Sequence, residues 1–195
     1  MNAIRSNHRE KVRDESLMKR FQEGDEQAFS ELVNRYQDRL HNFLFRYTRN
    51  RQDCEDLAQE TFIRVYRKRD SYKPIARFST WMYTIALNLA RSEFRKQKKM
   101  QLVSIHEDPA DSDSREMVFE SVEVQPDRAL ENKMDMERLE DALDQLTEEY
   151  RDAVVLRDIQ QLSYEEIAEI TETPMGTVKS RINRGRIQIQ ELMVK

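Results

Sequence analysis

Residues that break helices are scarce in this chain. Only three glycines and four prolines occur among its 195 residues. β-Sandwiches and barrels need many more of both for their turns, so the scarcity favours a mostly helical protein. Gly24, Gly176 and Gly185 are too far apart to form a G-x-G-x-x-G turn or a P-loop, which excludes the usual phosphate-binding loops. The predicted fold class is therefore all-α.

The sequence divides into two small helical domains joined by an acidic linker. Residues 17–99 hold 13 of the 16 aromatic side chains, and their apolar positions recur at helical spacing. Residues 136–195 form a second, smaller helical unit. Residues 100–135 between them are rich in Asp, Glu and Ser, and bury too little apolar surface to become ordered. Residues 1–16 form a charged N-terminal extension, which we expect to be disordered.

The net charge of −4 conceals blocks of opposite sign. Residues 1–99 carry 22 basic and 14 acidic side chains, whereas residues 100–175 carry 6 and 22. The last 20 residues carry five basic side chains and one acidic side chain. We therefore expect two basic surfaces suited to nucleic acid, with an acidic stretch between them. These charges also allow a compact, self-inhibited form, in which the linker or the second domain covers the first basic surface.

Several classes of protein are disfavoured. No apolar run approaches the roughly 20 residues of a membrane helix, and the charged N-terminus lacks the apolar core of a signal peptide. We therefore expect a cytoplasmic protein with no membrane insertion. Cys54 is alone, and His8, His41 and His106 have no ligand spacing, so neither a metal nor a cofactor is expected. No nucleophile and base occur together, and we expect no catalytic residue and no enzyme.

The second domain ends in the pattern of a helix-turn-helix. Ser163 and Glu166 have capping-box spacing at the start of a short helix, and a tight turn separates it from a basic helix. One face of the basic helix is apolar: Val178, Ile182, Gly185 and Ile189. The polar side chains around it suit base edges and phosphates, and we call them the recognition face: Thr177, Lys179, Ser180, Arg181, Asn183, Arg184 and Arg186. The alternative is a solvated face on an ordinary terminal helix.

A second basic helix is predicted over residues 81–99. Six of its side chains share one side, here called the basic stripe: Trp81, Thr84, Asn88, Arg91, Arg95 and Lys98. The other side is apolar: Met82, Ile85, Ala86, Leu89 and Ala90. An aromatic ring beside cations suits unpaired bases, so the stripe predicts binding to melted DNA, although Trp81 could equally be a core residue. The preceding loop, residues 70–79, could hold a flipped base.

The predicted helix over residues 53–68 has an acidic side with one apolar residue. We call this side the docking face: Asp53, Asp56, Gln59, Glu60 and Ile63. An isoleucine among exposed acids favours contact with another protein. One alternative is that these acids only complement the helix dipole. Another is a nuclease in which Asp53, Glu55, Asp56 and Glu60 hold a divalent metal.

Three segments closely resemble the extracytoplasmic-function (group IV) sigma factors, which are bacterial transcription initiation factors: DCEDLAQETFIRVYR, FSTWMYTIALNLARSEFRK and LTEEYRDAVVLRDIQQLSYEEIAEITETPMGTVKSRINRGR. The resemblance covers about residues 20–99 and 136–193. It implies that the first domain is a sigma region 2 helical bundle and the second a sigma region 4 helix-turn-helix. The linker would then thread the polymerase cleft.

The resemblance also implies partners and site residues. The docking face would bind the clamp helices of the polymerase β′ subunit, and region 4 would grip the β flap. Asn88, Arg91 and Arg95, with the loop at 70–79, would hold the melted −10 element. The −35 duplex would be read by part of the recognition face: Thr177, Lys179, Ser180, Arg181 and Arg184. An anti-sigma factor is a further expected partner. The alternative function is a helix-turn-helix regulator that binds duplex operators without polymerase.

Overall fold

A computed structural model of the chain describes residues 13–104 and 126–194. Within those two ranges every element of regular secondary structure is helical, which confirms the all-α fold class. The α-helices are α1 Asp14–Gln22, α2 Glu26–Thr48, α3 Arg51–Arg67, α4 Phe78–Ser104, α5 Pro126–Gln145, α6 Glu148–Val154, α7 Tyr164–Thr171 and α8 Met175–Met193. A 3-10 turn at Arg69–Ser71 follows α3, and a π turn at Val155–Ile159 follows α6.

Helices α1 to α4 form the first domain, with α2 in contact with the other three. Its core combines aliphatic side chains with many aromatic rings. The buried ring of Phe43 lies 5.3 Å from the rings of both Tyr47 and Tyr83. Tyr36 and Phe78 make an edge contact at the same distance. Large apolar rings that pack in this way supply much of the free energy that holds the bundle together.

Helix α4 begins earlier than the sequence indicated. The prediction placed residues 70–79 in a loop, but α4 starts at Phe78 and the 3-10 turn covers Arg69–Ser71. The carboxylate of Glu15 on α1 accepts a hydrogen bond from the backbone N–H of Phe78 at 3.4 Å. Such a bond satisfies a helix-end donor that has no partner within its own helix. Since the cap comes from a distant part of the chain, local sequence does not reveal it.

Part of the predicted linker is helical. The prediction assigned residues 100–135 to the linker, whereas α4 continues to Ser104 and α5 begins at Pro126. Proline suits the first position of a helix, because its fixed φ is helical and its missing N–H would have no partner there. The high acidic content obscured this start. The remainder of the predicted linker, residues 105–125, lies outside the described residues.

The first helix also begins inside the expected N-terminal extension. Helix α1 starts at Asp14, so residues 14–16 belong to the first domain. The Asp14 carboxylate accepts hydrogen bonds from Arg35 at 2.6 Å and from the Tyr36 hydroxyl at 2.5 Å. These bonds attach the first turn of α1 to α2. Residues 1–12 of the extension lie outside the described part of the chain.

Helices α5 to α8 form the second domain, and its sequence patterns are confirmed. The Ser163 hydroxyl accepts a hydrogen bond from the Glu166 N–H at 3.2 Å, and the Glu166 carboxylate accepts one from the Ser163 N–H at 2.8 Å. The predicted apolar face of α8 is buried. At its centre, a Cβ on Gly185 would lie 2.6 Å from a methyl carbon of Val154. Helix α8 therefore packs so closely against α6 that any side chain at this position would force a neighbour to shift.

The two domains are in contact. Helix α7 packs against α4, and both α5 and the π turn contact α2. The helix that carries the basic stripe therefore has the second domain lying on it. The sequence had allowed such a compact form, through its charge blocks, without showing which residues would form it.

Candidate nucleic-acid and polymerase interfaces

The recognition face lies on the outer surface of α8, as predicted. Five of its side chains are exposed: Lys179, Ser180, Asn183, Arg184 and Arg186. Thr177 and Arg181 are half-buried at its edges. The residues that a helix-turn-helix would present to a DNA groove are therefore brought together on one surface.

The cations of the recognition face differ in their contacts with neighbouring side chains. Arg186 forms an ion pair with Asp158, and Arg181 lies 3.2 Å from Glu149. The Lys179 ammonium lies 5.5 Å from the centre of the Tyr164 ring. Arg184, like the neighbouring Asn183, has no side-chain hydrogen bond or ion pair to any described residue. These two side chains present free donors to solvent.

At the N-terminal end of the basic stripe, the side chains pack partly into the core. Trp81 is half-buried, and its ring lies 5.2 Å from Tyr72 and 6.4 Å from Phe78. The Thr84 hydroxyl donates to the Thr80 carbonyl at 2.9 Å. Trp81 therefore packs partly into the core and keeps part of its surface accessible, and its contact with DNA stays a prediction.

At the C-terminal end of the basic stripe, the side chains either face solvent or form ion pairs with the second domain. Asn88 is exposed, and so is Lys98, whose ammonium lies 5.6 Å from the Phe94 ring. Arg91 and Arg95 instead point at carboxylates of α6. Two of the three cations of the basic stripe are therefore already paired with carboxylates.

Two acidic residues of α6 hold these arginines. Arg91 Nε donates to Asp152 Oδ2 at 2.7 Å. Arg95 donates from Nε and Nη2 to the two oxygens of Glu148, at 2.9 and 3.0 Å. This two-bond geometry is the strongest arrangement for an arginine and a carboxylate. Sequence reasoning did not single out Asp152 or Glu148, because only the summed charge of the segment signalled them.

The environment of Asp152 is unusual for an acid. Its side chain is 1% exposed, and its Oδ1 accepts a hydrogen bond from the buried Tyr47 hydroxyl at 2.7 Å. Burial raises the pKa of the Asp152 carboxyl, while Arg91 and the Tyr47 bond act in the opposite direction. By contrast, hydrogen bonds from Arg95 lower the pKa of Glu148.

The docking face lies along the outer side of α3. Asp56 is exposed, while Gln59 and Glu60 flank it and Ile63 is half-buried. Asp53 accepts a hydrogen bond from Gln97 at 3.1 Å, and Glu60 pairs with Arg64 at 2.7 Å. The face is accessible to a partner, with its acids partly oriented by neighbours.

The four carboxylates of the nuclease alternative do not converge on a site. Each is engaged by a different side chain, as Glu55 is by Arg51 and Asp56 by Gln52. Among the residues that the structure describes, no three His, Cys, Asp or Glu side chains are grouped to hold a metal ion. Within the same residues, no helix has the length and apolar character needed to cross a membrane.

Comparison with known families places both domains. The family model of Sigma-70 region 2 matches residues 32–100, and that of Sigma-70 region 4 matches residues 136–189. The chain is 36% identical over 183 residues to the ECF RNA polymerase sigma-E factor of Haemophilus influenzae, covering 93% of this chain and 95% of that one.

Solved structures show the same fold. The sigma factor RpoE of Bartonella quintana, solved in complex with the anti-sigma factor NepR, superposes with a TM-score of 0.64. It is 28% identical, with 85% of this chain and 96% of that chain covered. CnrH, solved in complex with the cytosolic domain of CnrY, superposes with a TM-score of 0.70 at 22% identity, covering 92% of this chain and 96% of that chain.

Proposed function

The chain belongs to the extracytoplasmic-function sigma factors of RNA polymerase. From that premise we propose which parts of the polymerase and of the promoter each of its two domains binds. Its family comprises transcription initiation factors rather than catalytic enzymes. The docking face on α3 binds the β′ clamp helices of core polymerase, and the second domain also grips the β flap. The basic stripe on α4 holds the melted −10 strand, and the recognition face on α8 reads the −35 duplex.

The observation that carries this proposal is the pair of basic helix faces, one in each domain. Each domain matches a different sigma region. The exposed donors Lys179, Asn183 and Arg184 suit base edges and phosphates in a duplex. Trp81, with the polar and basic side chains that follow it along the stripe, suits stacked, unpaired bases. Two weak DNA-binding surfaces in one chain bind a promoter far more tightly together than either surface does alone.

We expect Arg184→Ala to weaken initiation that depends on the −35 element. Arg184 has no side-chain partner among the described residues, so its removal takes away a DNA contact and leaves the fold intact. One good contact to a base edge is worth about 1–3 kcal/mol, or roughly 5- to 150-fold in affinity. The measurement is run-off transcription by core polymerase with this protein, on promoters with an intact and a scrambled −35 element.

Arg138→Ala is the matched control for that experiment. Arg138 is also an exposed arginine of the second domain, on α5, and its ion pair with Asp135 is a loose 3.8 Å contact. The Arg138→Ala variant should leave transcription from both promoters unchanged. If Arg184→Ala lowered initiation equally on both promoters, or on neither, the role of α8 in reading the −35 element would be refuted.

The rival function, an operator-binding regulator that acts without polymerase, explains only the helix-turn-helix. It gives no role to the first domain, which matches region 2. The same run-off experiment separates the two functions. New transcription starts that require both this protein and core polymerase support the sigma function, whereas tight duplex binding without polymerase and no new starts support the regulator.

An anti-sigma factor is the further partner that we propose. The support is the Bartonella quintana relative, which was solved in complex with the anti-sigma factor NepR. The proposal also places the protein in the cytoplasm, where polymerase and promoter meet. A candidate anti-sigma factor added to the run-off reaction should abolish the new starts and leave transcription by another sigma factor unaffected.

A further inference from the structure

The two domains meet with opposite charges in a fixed order. In the ion pairs that the described residues form between domains, the cation comes from the first domain and the carboxylate from the second. The pairs are Arg46–Glu140 at 2.7 Å, Arg49–Asp141 at 2.8 Å, Arg49–Asp144 at 3.0 Å, Arg77–Glu166 at 3.2 Å, Arg91–Asp152 at 2.7 Å, Arg91–Glu148 at 3.4 Å and Arg95–Glu148 at 2.9 Å. The second domain thus presents an array of negative charge to a basic surface, as the phosphates of a nucleic acid would.

The hydrogen bonds of the buried Asp152 carboxylate come from the first domain. The carboxylate accepts hydrogen bonds from two side chains of that domain, Tyr47 and Arg91. A buried carboxylate is stable only while such donors surround it, because removal from water costs several kcal/mol. If the domains separated, Asp152 would return to water and Arg91 would be released.

A second buried contact joins the domains without charge. The Tyr83 hydroxyl of α4 donates to Gln160 Oε1 at 2.6 Å, and both side chains are buried. Neutral groups bonded in this way define one relative position of the domains, because any shift leaves a buried polar atom without a partner. The domain interface is therefore defined by a specific neutral hydrogen bond as well as by ion pairs.

Arg151 opposes the closed arrangement. Its side chain is fully buried, with the guanidinium 3.4 Å from the centre of the Phe94 ring in the first domain. The ring stabilises the cation, but Nε, Nη1 and Nη2 have no hydrogen-bond partner among the described residues. A charged group without such partners is destabilising when buried. Separation of the domains would return it to water, so the ion pairs favour closure and the buried Arg151 opposes it.

We propose that the free protein adopts this closed state, and that helix α6 and the melted promoter strand compete for Arg91 and Arg95. The identity of the competing strand rests on the proposed function, but the closed state does not. In the closed state Asp56 on the docking face and Arg184 on α8 remain exposed. Polymerase and the −35 duplex can therefore engage before the domains separate and free the basic stripe.

A matched pair of variants tests the closed state in the full-length chain. The double variant Glu148→Gln and Asp152→Asn removes the two charges that face the basic stripe and preserves side-chain shape. The control is Glu149→Gln. Glu149 is the next residue on α6, but its ion pair is with Arg181 in its own domain.

The first readout is the distance between the domains. Labels attached at Glu23→Cys and Glu191→Cys, both exposed positions, report it by energy transfer. The native Cys54 is buried and burial raises its pKa to about 11, so it reacts little at neutral pH. We expect one narrow distance in the parent and in the control, and a longer, broader distribution in the double variant. A broad distribution already present in the parent would overturn the proposal.

The second readout is binding of a fluorescent single-stranded oligonucleotide that carries a −10 sequence, without polymerase. Since the apparent affinity of a partly closed protein is reduced to the fraction of open molecules, the double variant should bind the oligonucleotide at least about tenfold more tightly. The control should match the parent.

If the double variant opens without any gain in affinity, the competition is refuted and the basic stripe loses its proposed ligand. If transcription from the run-off template fails while the domains still open as expected, the proposed function fails and the closed state stands.

Discussion

At the scale of single residues, close packing explains why Gly185 occupies its position on α8. Besides the 2.6 Å approach to Val154, a Cβ there would lie 3.3 Å from the Tyr150 carbonyl oxygen. Valine is stiff at χ1 and a backbone carbonyl cannot move alone, so neither neighbour can give way easily. Gly176, in the first turn of the same helix, faces open space, and a Cβ on it would meet no atom within 4 Å.

Gly185→Ala should therefore destabilise the protein, although alanine is the better helix former. Overpacking costs about 1–3 kcal/mol, and the gain in helix propensity returns up to about 1 kcal/mol. With the full propensity gain, we expect a net loss of up to about 2 kcal/mol in the free energy of unfolding, measured with urea. Gly176→Ala makes the same change in open space and should be neutral or stabilising. Equal effects of the two would show that α6 and α8 are not in close contact.

At the scale of elements, the helices differ in how their ends are capped. Helix α7 carries a capping box formed by neighbouring residues, and its start was predicted correctly. Asp25 likewise caps α2, accepting bonds from the N–H groups of Gln27 and Ala28. Helix α4 instead uses Glu15 from another helix, and its start was predicted incorrectly. Helix ends are readable from sequence when the cap is local, because the donor and acceptor are then a few residues apart.

Ser163→Ala tests the local cap of α7. Loss of a serine N-cap leaves the Glu166 N–H without its acceptor and costs about 1 kcal/mol. We expect a decrease of that size in the free energy of unfolding, with the helix content of the native state retained by circular dichroism. Ser30→Ala is the control, since Ser30 is an exposed serine within α2 whose hydroxyl bonds to the Glu26 carbonyl of its own helix. If both variants lost the same stability, the cap would contribute nothing.

At the scale of the whole molecule, stability and exposure of the functional surfaces depend on how the domains meet. The interface covers the basic stripe at Arg91 and Arg95 and leaves the recognition face open. The contacts that set it combine exposed pairs, such as Arg95 with Glu148, and buried ones, such as Tyr83 with Gln160. Salt screens the exposed pairs, whereas the buried neutral bond is largely insensitive to it.

Tyr83→Phe should loosen the domains without unfolding either one. It leaves the buried oxygen of Gln160 unpaired, which costs about 1–3 kcal/mol in the closed state. The open fraction should therefore rise by roughly tenfold, seen as a longer mean distance between the labelled domains. Tyr66→Phe removes a hydroxyl that bonds to Glu26 within the first domain, so that variant should keep the parent distance. A similar change in both variants would contradict a specific role for the Tyr83 contact.

Much of this protein follows from local patterns along the chain. Helical periodicity, scarce breakers and the capping box predicted the fold class, the buried face of α8 and the outer position of the recognition face, because each depends on residues within one or two helical turns. The contacts of Arg91 with Asp152 and of Tyr83 with Gln160 join residues 61 and 77 positions apart. Block charges showed that such domains could attract each other, but the pairing of individual side chains depends on distances that exist only in the folded chain.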